Sequence, residues 1–199
     1  YSGDPRVPYA NFSGTGNTEL LADEIADRLT RAGHTVASRS IEDPAWFDEP
    51  LPEDTVLGFG FPVYKFTYPD LFAPVFSTLR RIPHPVPYFL FASYARFEAD
   101  ALPDFSRKLG TRRFRYLCGE VFKAPSCGIS ARKPEADFEW QSVMFFEDGI
   151  HAKLDAFAES ILRHAERFAI EEKAEHVPRR SLPAPLAAFR LRLVRHIER

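Results

Sequence analysis

Length, composition and charge are those of an ordinary globular domain: 199 residues, 45% of them hydrophobic and 27% charged, suit one domain with a sizeable core. The net charge of −2 gives no argument for nucleic-acid binding, and neither the two cysteines nor the six histidines stand at the spacing of a disulfide framework or a metal site. No long uncharged apolar run occurs, so we expect neither a secretion signal nor a membrane-spanning helix. We therefore expect the protein to be cytoplasmic.

Strand-like and helix-like patterns alternate along the chain, which predicts an α/β fold with a parallel sheet. Apolar runs predict strands over 7–12, 34–41, 55–61, 86–94 and 114–122. Helical periodicity predicts helices over 19–31, 69–81, 102–109 and most of 138–168. Five strands in this rhythm fit a doubly wound sheet of order 2-1-3-4-5, with helices on both faces. Its ligand site is expected at the carboxyl ends of the first and third strands.

The helical period also predicts which side chains of the first two helices are buried. In the first helix these are Leu20, Leu21, Ile25 and Leu29, and in the second Leu71, Phe72, Val75, Phe76 and Leu79. Cys118 is expected to be buried in the fifth strand, and Cys127 to be a free structural thiol in the loop that follows it.

The most informative segment, residues 13–18, lies between the first strand and the first helix and reads Ser-Gly-Thr-Gly-Asn-Thr. Gly14 and Gly16 let the backbone wrap around an anion that faces the first N–H groups and the positive dipole end of the helix. Further donors are the side chains of Ser13, Thr15, Asn17 and Thr18. Because the turn has neither the Lys of a nucleoside-triphosphatase loop nor a third glycine, it predicts a cup for one terminal phosphate monoester. The alternative is an ordinary glycine-rich turn with a helix cap.

Residues 12–18, Phe-Ser-Gly-Thr-Gly-Asn-Thr, closely resemble the phosphate loop of the flavodoxin family, which binds flavin mononucleotide (FMN). A second segment, residues 58–64, reads Gly-Phe-Gly-Phe-Pro-Val-Tyr and resembles the third strand and flavin-ring loop of that family. It is especially similar to the flavodoxin domains that are fused to bacterial-type ferredoxins. The resemblance covers roughly residues 7–170, and both segments fall at the predicted switch point of the sheet.

The resemblance implies which loops would contact the flavin ring, a planar apolar surface with polar edges. The loop after the third strand contributes Pro62, Val63, Tyr64, Lys65 and Phe66. Tyr64 is the first choice for a stacking partner, and Phe66 and Tyr68 are weaker candidates. The loop after the fourth strand contributes Ser93, Tyr94 and Ala95, with Tyr94 over the opposite face of the ring. The loop 124–128 is expected to close over the ring edge or the ribityl chain. For the aromatic residues of the two preceding loops, the alternative to flavin contact is packing in the core.

The sequence departs from the family pattern in two places. Lys65 stands where related domains often have Gly, and a Lys adopts positive φ only with strain. A Lys beside the ring would favour the anionic reduced flavin and raise its potential. The loop 123–125 lacks the Met and Asn-Tyr associated with the ferredoxin-fused relatives, and no ferredoxin cysteine runs follow.

The chain is predicted to divide into a flavodoxin-like FMN domain, 1–177, and a proline-rich linker with a basic amphipathic tail, 178–199. Three roles stay open for the tail: packing on its own domain, docking on a partner and peripheral contact with an anionic membrane.

These features predict an FMN-binding protein that passes electrons between redox partners, such as a reductase, a ferredoxin or an acceptor enzyme. The first alternative is an FMN-dependent oxidoreductase acting on a quinone or tetrapyrrole, suggested by Lys65, Arg96 and the basic tail. The second alternative is a flavin-free binding module that kept the fold. We expect no catalytic side chain, because the cofactor carries the electrons.

Overall fold

The structure, a computed structural model, describes residues 6–42, 51–52, 55–79, 85–110, 113–126 and 134–171. The predicted linker and tail, as well as Cys127, lie outside these residues. Within them, five strands form one sheet in the order β2-β1-β3-β4-β5, and all neighbouring pairs are parallel. The strands are β1 (Arg6–Asn11), β2 (Thr35–Ser40), β3 (Leu57–Pro62), β4 (Val86–Tyr94) and β5 (Phe114–Lys123). The predicted α/β class with a parallel sheet is confirmed.

The described helices are α1 (Asn17–Arg31), α2 (Ala73–Leu79), α3 (Ala101–Leu109), α4 (Phe138–Val143) and α5 (Ile150–Glu171). The first helix begins two residues earlier than predicted. The second predicted helix begins as a 3-10 turn, Asp70–Phe72, before α2, and the last two residues predicted for it, 80 and 81, lie outside the described part. The last helix, predicted over most of 138–168, is α5 from residue 150 onward. The earlier part of that range forms the separate helix α4, and Gly149 takes a φ of +73° immediately before α5. Among the described residues, no helix is both long and apolar enough to span a membrane.

The sheet is covered on both faces, so β3 and β4 are buried along their whole length except for their last residues, Pro62 and Tyr94. One face packs against α2 and α3 through an aromatic cluster in which the rings of Phe61 and Phe105 stack with centroids 5.0 Å apart. Tyr68 belongs to this cluster, with its ring centroid 5.4 Å from that of Phe105. Of the two roles considered for Tyr68, flavin contact and core packing, the structure shows core packing. The other face packs against α1 and α5.

Three predictions of burial are wrong. Leu20 and Leu71 are each 50% exposed, and Cys118 is only half-buried. The buried stripe of α1 follows Leu21 and Ile25 at a spacing of four, and Leu20 is turned about 100° away from it. Leu71 lies in the 3-10 turn, whose tighter winding turns it away from the stripe that continues in α2.

Two glycines of β3 face two phenylalanines of β4. In the parallel register Gly58 pairs with Phe89 and Gly60 with Phe91. Because side chains alternate along a strand, both glycines face α1 and α5, while Phe59 between them faces the opposite core. A Cβ on Gly60 would lie only 2.1 Å from Cζ of Phe91, so the large rings of β4 fill the space that β3 leaves.

We expect the stability of the fold to fall at high pH through Tyr88, which is 1% exposed in β4. Burial raises its pKa from 10.0 to about 12. Between these values the unfolded chain has lost the phenolic proton while the folded chain keeps it, so stability falls by up to about 1.4 kcal/mol per pH unit. Urea unfolding of Tyr88→Phe and the unsubstituted protein at pH 8 to 11 should give a shallower decline for the variant. Equal declines, after normalisation at pH 8, would contradict this expectation.

Candidate functional site

A cavity of about 230 Å³ lies at the carboxyl ends of β1, β3, β4 and β5, where four loops converge. It is lined by Ser13, Gly14, Thr15, Asn17, Thr18, Pro62, Val63, Tyr64, Lys65, Ser93, Tyr94, Ala95, Ala124, Pro125 and Ser126. The structure thus brings together all the predicted cofactor-binding residues except Gly16 and Phe66. The last three lining residues come from the loop after β5, for which sequence reasoning expected a closing role.

The two glycines of the turn into α1 serve different purposes. Gly16 caps the helix with a φ of +87°, in the left-handed region that favours glycine, and its carbonyl accepts a hydrogen bond from the N–H of Leu20 (2.8 Å). No side-chain cap is found at this helix end among the described residues, and the first N–H groups of the helix point back towards the turn. Gly14 allows a close approach instead, because a Cβ there would lie 2.8 Å from the hydroxyl of Tyr64.

The four predicted phosphate donors divide into two pairs. Asn17 donates from Nδ2 to the carbonyl of Pro125 (2.8 Å), and the Thr18 and Ser93 hydroxyls share a buried hydrogen bond of 2.7 Å. The side chains of Ser13 and Thr15 make no hydrogen bond within the described part of the chain, and Thr15 is exposed. Ser13 and Thr15 are therefore the hydroxyls that can turn towards an anion without breaking a contact.

The loop after β3 contains a tight two-residue turn. Tyr64 and Thr67 exchange two backbone hydrogen bonds of 2.9 Å, and the residues between them, Lys65 and Phe66, have φ of +48° and +66°. Positive φ at both central positions is the pattern of a type I′ turn, which prefers Asn and Gly. Lys65 therefore does take the left-handed conformation that Gly would take freely, at a cost of about 1 kcal/mol or more.

Phe66 does not line the cavity. Its ring packs on that of Phe97, which is 60% exposed, with centroids 6.3 Å apart. The turn sends the side chains of neighbouring residues in different directions, so Lys65 lines the cavity and Phe66 does not. Sequence reasoning ranked Phe66 below Tyr64 but could not place its ring, because the direction of the side chain depends on the conformation of the turn.

Two tyrosines line the cavity. Tyr64 crosses from its own loop to the turn at residues 13–18, where its hydroxyl approaches Gly14 and its ring packs edge-on against that of Phe12, with centroids 6.4 Å apart. Tyr94 ends β4 and is half-buried. Burial raises the pKa of Tyr94, and the negative charge of Glu147 raises it further. Both phenols are thus placed to offer aromatic surface to a ligand.

The loop after β5 is held by a segment that sequence reasoning missed. Glu147 accepts a hydrogen bond from the N–H of Lys123 (3.0 Å), and the Lys153 ammonium contacts the Glu147 carboxylate (3.1 Å) and the carbonyl of Val121 (2.6 Å). Further along, the N–H of Ser126 donates to the carbonyl of Val143 (2.7 Å). Sequence reasoning predicted one helix here and so missed the segment between α4 and α5, which contains Glu147. The glycine at position 149 was the one available signal.

Sequence comparison finds no matching family model and no matching curated protein. Solved structures with a similar fold include oxidised flavodoxin 1 from Bacillus cereus, at 16% identity over 80% of this chain and 98% of that one, with a TM-score of 0.55. Two-electron reduced flavodoxin from Megasphaera elsdenii is 23% identical over 58% of this chain and 84% of its own, with a TM-score of 0.50. A flavodiiron core from Synechocystis is 19% identical over 84% of this chain and 37% of its own, with a TM-score of 0.54. At these identities the similarity shows the fold, which is flavodoxin-like.

Proposed function

From a flavodoxin-like fold whose cavity combines a phosphate turn with an aromatic loop, we propose that this chain is a flavodoxin-family protein that binds FMN and transfers electrons between redox partners. The observation that carries the proposal is the meeting of five residues of the turn 13–18, all but Gly16, with residues 62–65 in one cavity. Position alone would support many ligands, because this edge of an open α/β sheet is a general ligand site. The pairing of anion donors with aromatic surface favours a phosphorylated ring compound.

The residues present fit the phosphate of FMN. The hydroxyls of Ser13 and Thr15 have no other hydrogen bond within the described residues, and Gly14 lets an oxygen approach the backbone. The start of α1 adds its N–H groups and positive dipole end, so the turn needs no cation. A bound FMN would supply reversible one- or two-electron transfer, and the protein would bind it and shield it from water.

The ring end of the cavity requires one adjustment. Ligand cavities usually measure roughly 300–1,000 Å³, whereas this one measures about 230 Å³. The Tyr64 side chain, which reaches across to Gly14, occupies part of the space between the loops. We therefore expect Tyr64 to turn away from Gly14 when FMN binds and to lie along the ring.

The test is visible absorption of the purified protein during titration with FMN under anaerobic conditions. We expect a perturbed flavin spectrum, saturation at one FMN per chain and weaker binding of riboflavin, which lacks the phosphate. An FMN spectrum that excess protein leaves unchanged would contradict the proposal and favour the flavin-free module. Stepwise reduction of the complex then separates one-electron from two-electron behaviour.

One observation favours an oxidoreductase as the second candidate. Lys65 is exposed where it lines the cavity, and the Phe66–Phe97 pair lies beside it. A cation next to exposed aromatic surface suits a planar substrate that gains negative charge as it is reduced, such as a quinone. Oxidation of the reduced, FMN-loaded protein by a soluble quinone in repeated turnovers would support this candidate. A reduced protein that transfers electrons only to redox proteins would support the carrier.

Neutralising Lys65 is expected to lower the reduction potential of bound FMN. A positive charge next to the ring stabilises the added electron, and its interaction is worth about 1 kcal/mol at the dielectric of an exposed site, or tens of millivolts. Lys65→Met removes the charge and keeps the side-chain length, whereas Lys65→Arg is the matched control that keeps the charge. Potentiometric titration should show a more negative potential for Lys65→Met alone. Equal potentials in all three proteins would mean that the ammonium lies away from the flavin.

A further inference from the structure

We propose that Asn17 is a positioning residue, which holds the loop after β5 against the phosphate turn, rather than a ligand of the phosphate. The inference rests on the proposed function and departs from the prediction that all four polar side chains of the turn donate to phosphate. It assigns Asn17 a role at the ring end of the cavity, although it belongs to the phosphate motif.

The hydrogen bonds of the first turn of α1 carry the argument. Asn17 Nδ2 lies 2.8 Å from the carbonyl oxygen of Pro125, and the two residues are 108 positions apart in the chain. The next residue, Thr18, is 1% exposed and shares its hydrogen bond with Ser93, 75 positions away. Two successive side chains of one helix therefore connect the turn at residues 13–18 to the end of β4 and to the loop after β5.

In the loop after β5, few backbone groups near Pro125 are available for a hydrogen bond to α1. Pro125 has no N–H, so its carbonyl is the backbone group through which a hydrogen bond can hold it. The neighbouring backbone donors are engaged elsewhere: Ala124 donates to the carbonyl of Tyr94 (2.8 Å) and Ser126 to that of Val143 (2.7 Å). The Asn17 amide is what joins the middle of this loop to α1. Nδ2 has a second hydrogen, so geometry permits a phosphate contact as well, and the binding test separates the two roles.

The two roles predict different ligand dependence. A phosphate ligand contributes to the binding of FMN and nothing to that of riboflavin. A residue that positions the loop over the ring contributes to both by the same factor. We expect Asn17→Ala to weaken FMN and riboflavin binding alike, by about fivefold to tenfold, as for the loss of one hydrogen bond. Alanine is a good helix former, so the helix itself should be unaffected.

The experiment measures dissociation constants of both flavins for the unsubstituted protein, Asn17→Ala and the control Ser13→Ala. An unchanged ratio of the two constants in Asn17→Ala, together with a changed ratio in Ser13→Ala, would support positioning. Loss of FMN affinity alone in Asn17→Ala would overturn the inference. If the unsubstituted protein binds neither flavin, the proposed function fails instead.

A second measurement needs no flavin. Hydrogen exchange in the flavin-free protein should show several-fold faster exchange of the Ala124 and Ser126 amides in Asn17→Ala, because the loop loses its link to α1. The same amides in the control Thr15→Ala should exchange as in the unsubstituted protein. Unchanged exchange in Asn17→Ala would show that the hydrogen bond does not hold the loop, and would overturn the inference whatever the flavin affinities are. Asn17→Ser, whose hydroxyl is too short to reach Pro125, should behave as Asn17→Ala does.

Discussion

Replacing Gly60 by alanine is expected to lower the free energy of unfolding by about 3 kcal/mol, the upper end of the usual range for an overpacked core. The new Cβ would lie 2.1 Å from Cζ of Phe91 and within 2.7 Å of two further atoms of that ring. The ring is 1% exposed and packed in the core between the sheet and helices α1 and α5, so it has little space into which it could move. The strand pair β3–β4 would have to separate or the ring would have to leave its rotamer.

Urea unfolding of Gly60→Ala measures this effect, and Gly119→Ala is the matched control. A Cβ on Gly119 would meet the Tyr116 hydroxyl at 2.7 Å, but Tyr116 is half-buried, so its far end has more freedom to turn aside. The other two neighbours, Leu102 Cδ1 and the Leu90 carbonyl oxygen, would lie at 3.1 Å and need to move by only a few tenths of an ångström. We therefore expect a smaller loss, about 1 kcal/mol, for the control. Adding Phe91→Leu to Gly60→Ala should recover part of the lost stability, so that the double variant is less destabilised than the sum of the single ones. A Gly60→Ala protein as stable as the unsubstituted chain would contradict the packing.

Introducing an acid into the phosphate turn as Thr15→Asp is expected to weaken FMN binding by about a hundredfold. Thr15 is exposed at the edge of the cavity, and a carboxylate there would stand next to a phosphate of the same sign. Two like charges about 4 Å apart repel by about 1 kcal/mol in water and about 4 kcal/mol near a protein surface, and the phosphate carries more than one charge. Because an acid near a helix N-terminus is favourable, the free energy of unfolding should stay the same or rise slightly.

Titration with FMN and riboflavin separates charge repulsion from damage to the turn. Thr15→Asn is the control, since it has nearly the same shape as Asp without the charge. We expect Thr15→Asp to bind riboflavin nearly as well as the unsubstituted protein does, and its loss of FMN affinity to shrink as salt is added. An equal loss for both flavins would place the phosphate elsewhere in the cavity.

The sequence was sufficient for features that depend on neighbouring residues. The alternation of apolar runs and helical periods predicted the parallel α/β class, because each element buries its own stripe. It was insufficient for deciding which of two adjacent apolar residues, such as Leu20 and Leu21, is buried. The rotation of a helix about its axis depends on the surface against which it packs. The break before α5 was also missed, because apolar residues on both sides of Gly149 continue the helical pattern.

The same division holds for the cavity. Topology places the ends of β1 and β3 side by side, so the two motifs could be expected to meet. The directions of side chains within them depend on partners far along the chain. The side chain of Asn17 donates a hydrogen bond to Pro125, and Thr18 shares one with Ser93. The residues next to them in the sequence do not predict such long-range pairs. Phe66 leaves the cavity because of a turn conformation that its own residue type disfavours.

The distance along the chain between Asn17 and Pro125 has a consequence for folding. Contacts between residues far apart in sequence form late, because a long loop must close before they are made. The cavity takes its walls from the ends of four strands, the last of which is β5. During synthesis the turn at residues 13–18 is made early, and more than a hundred further residues must be added before Pro125, the hydrogen-bond partner of Asn17, is present. A nascent chain interrupted before β5 would carry three of the four loops, the turn at residues 13–18 among them, but no closed cavity.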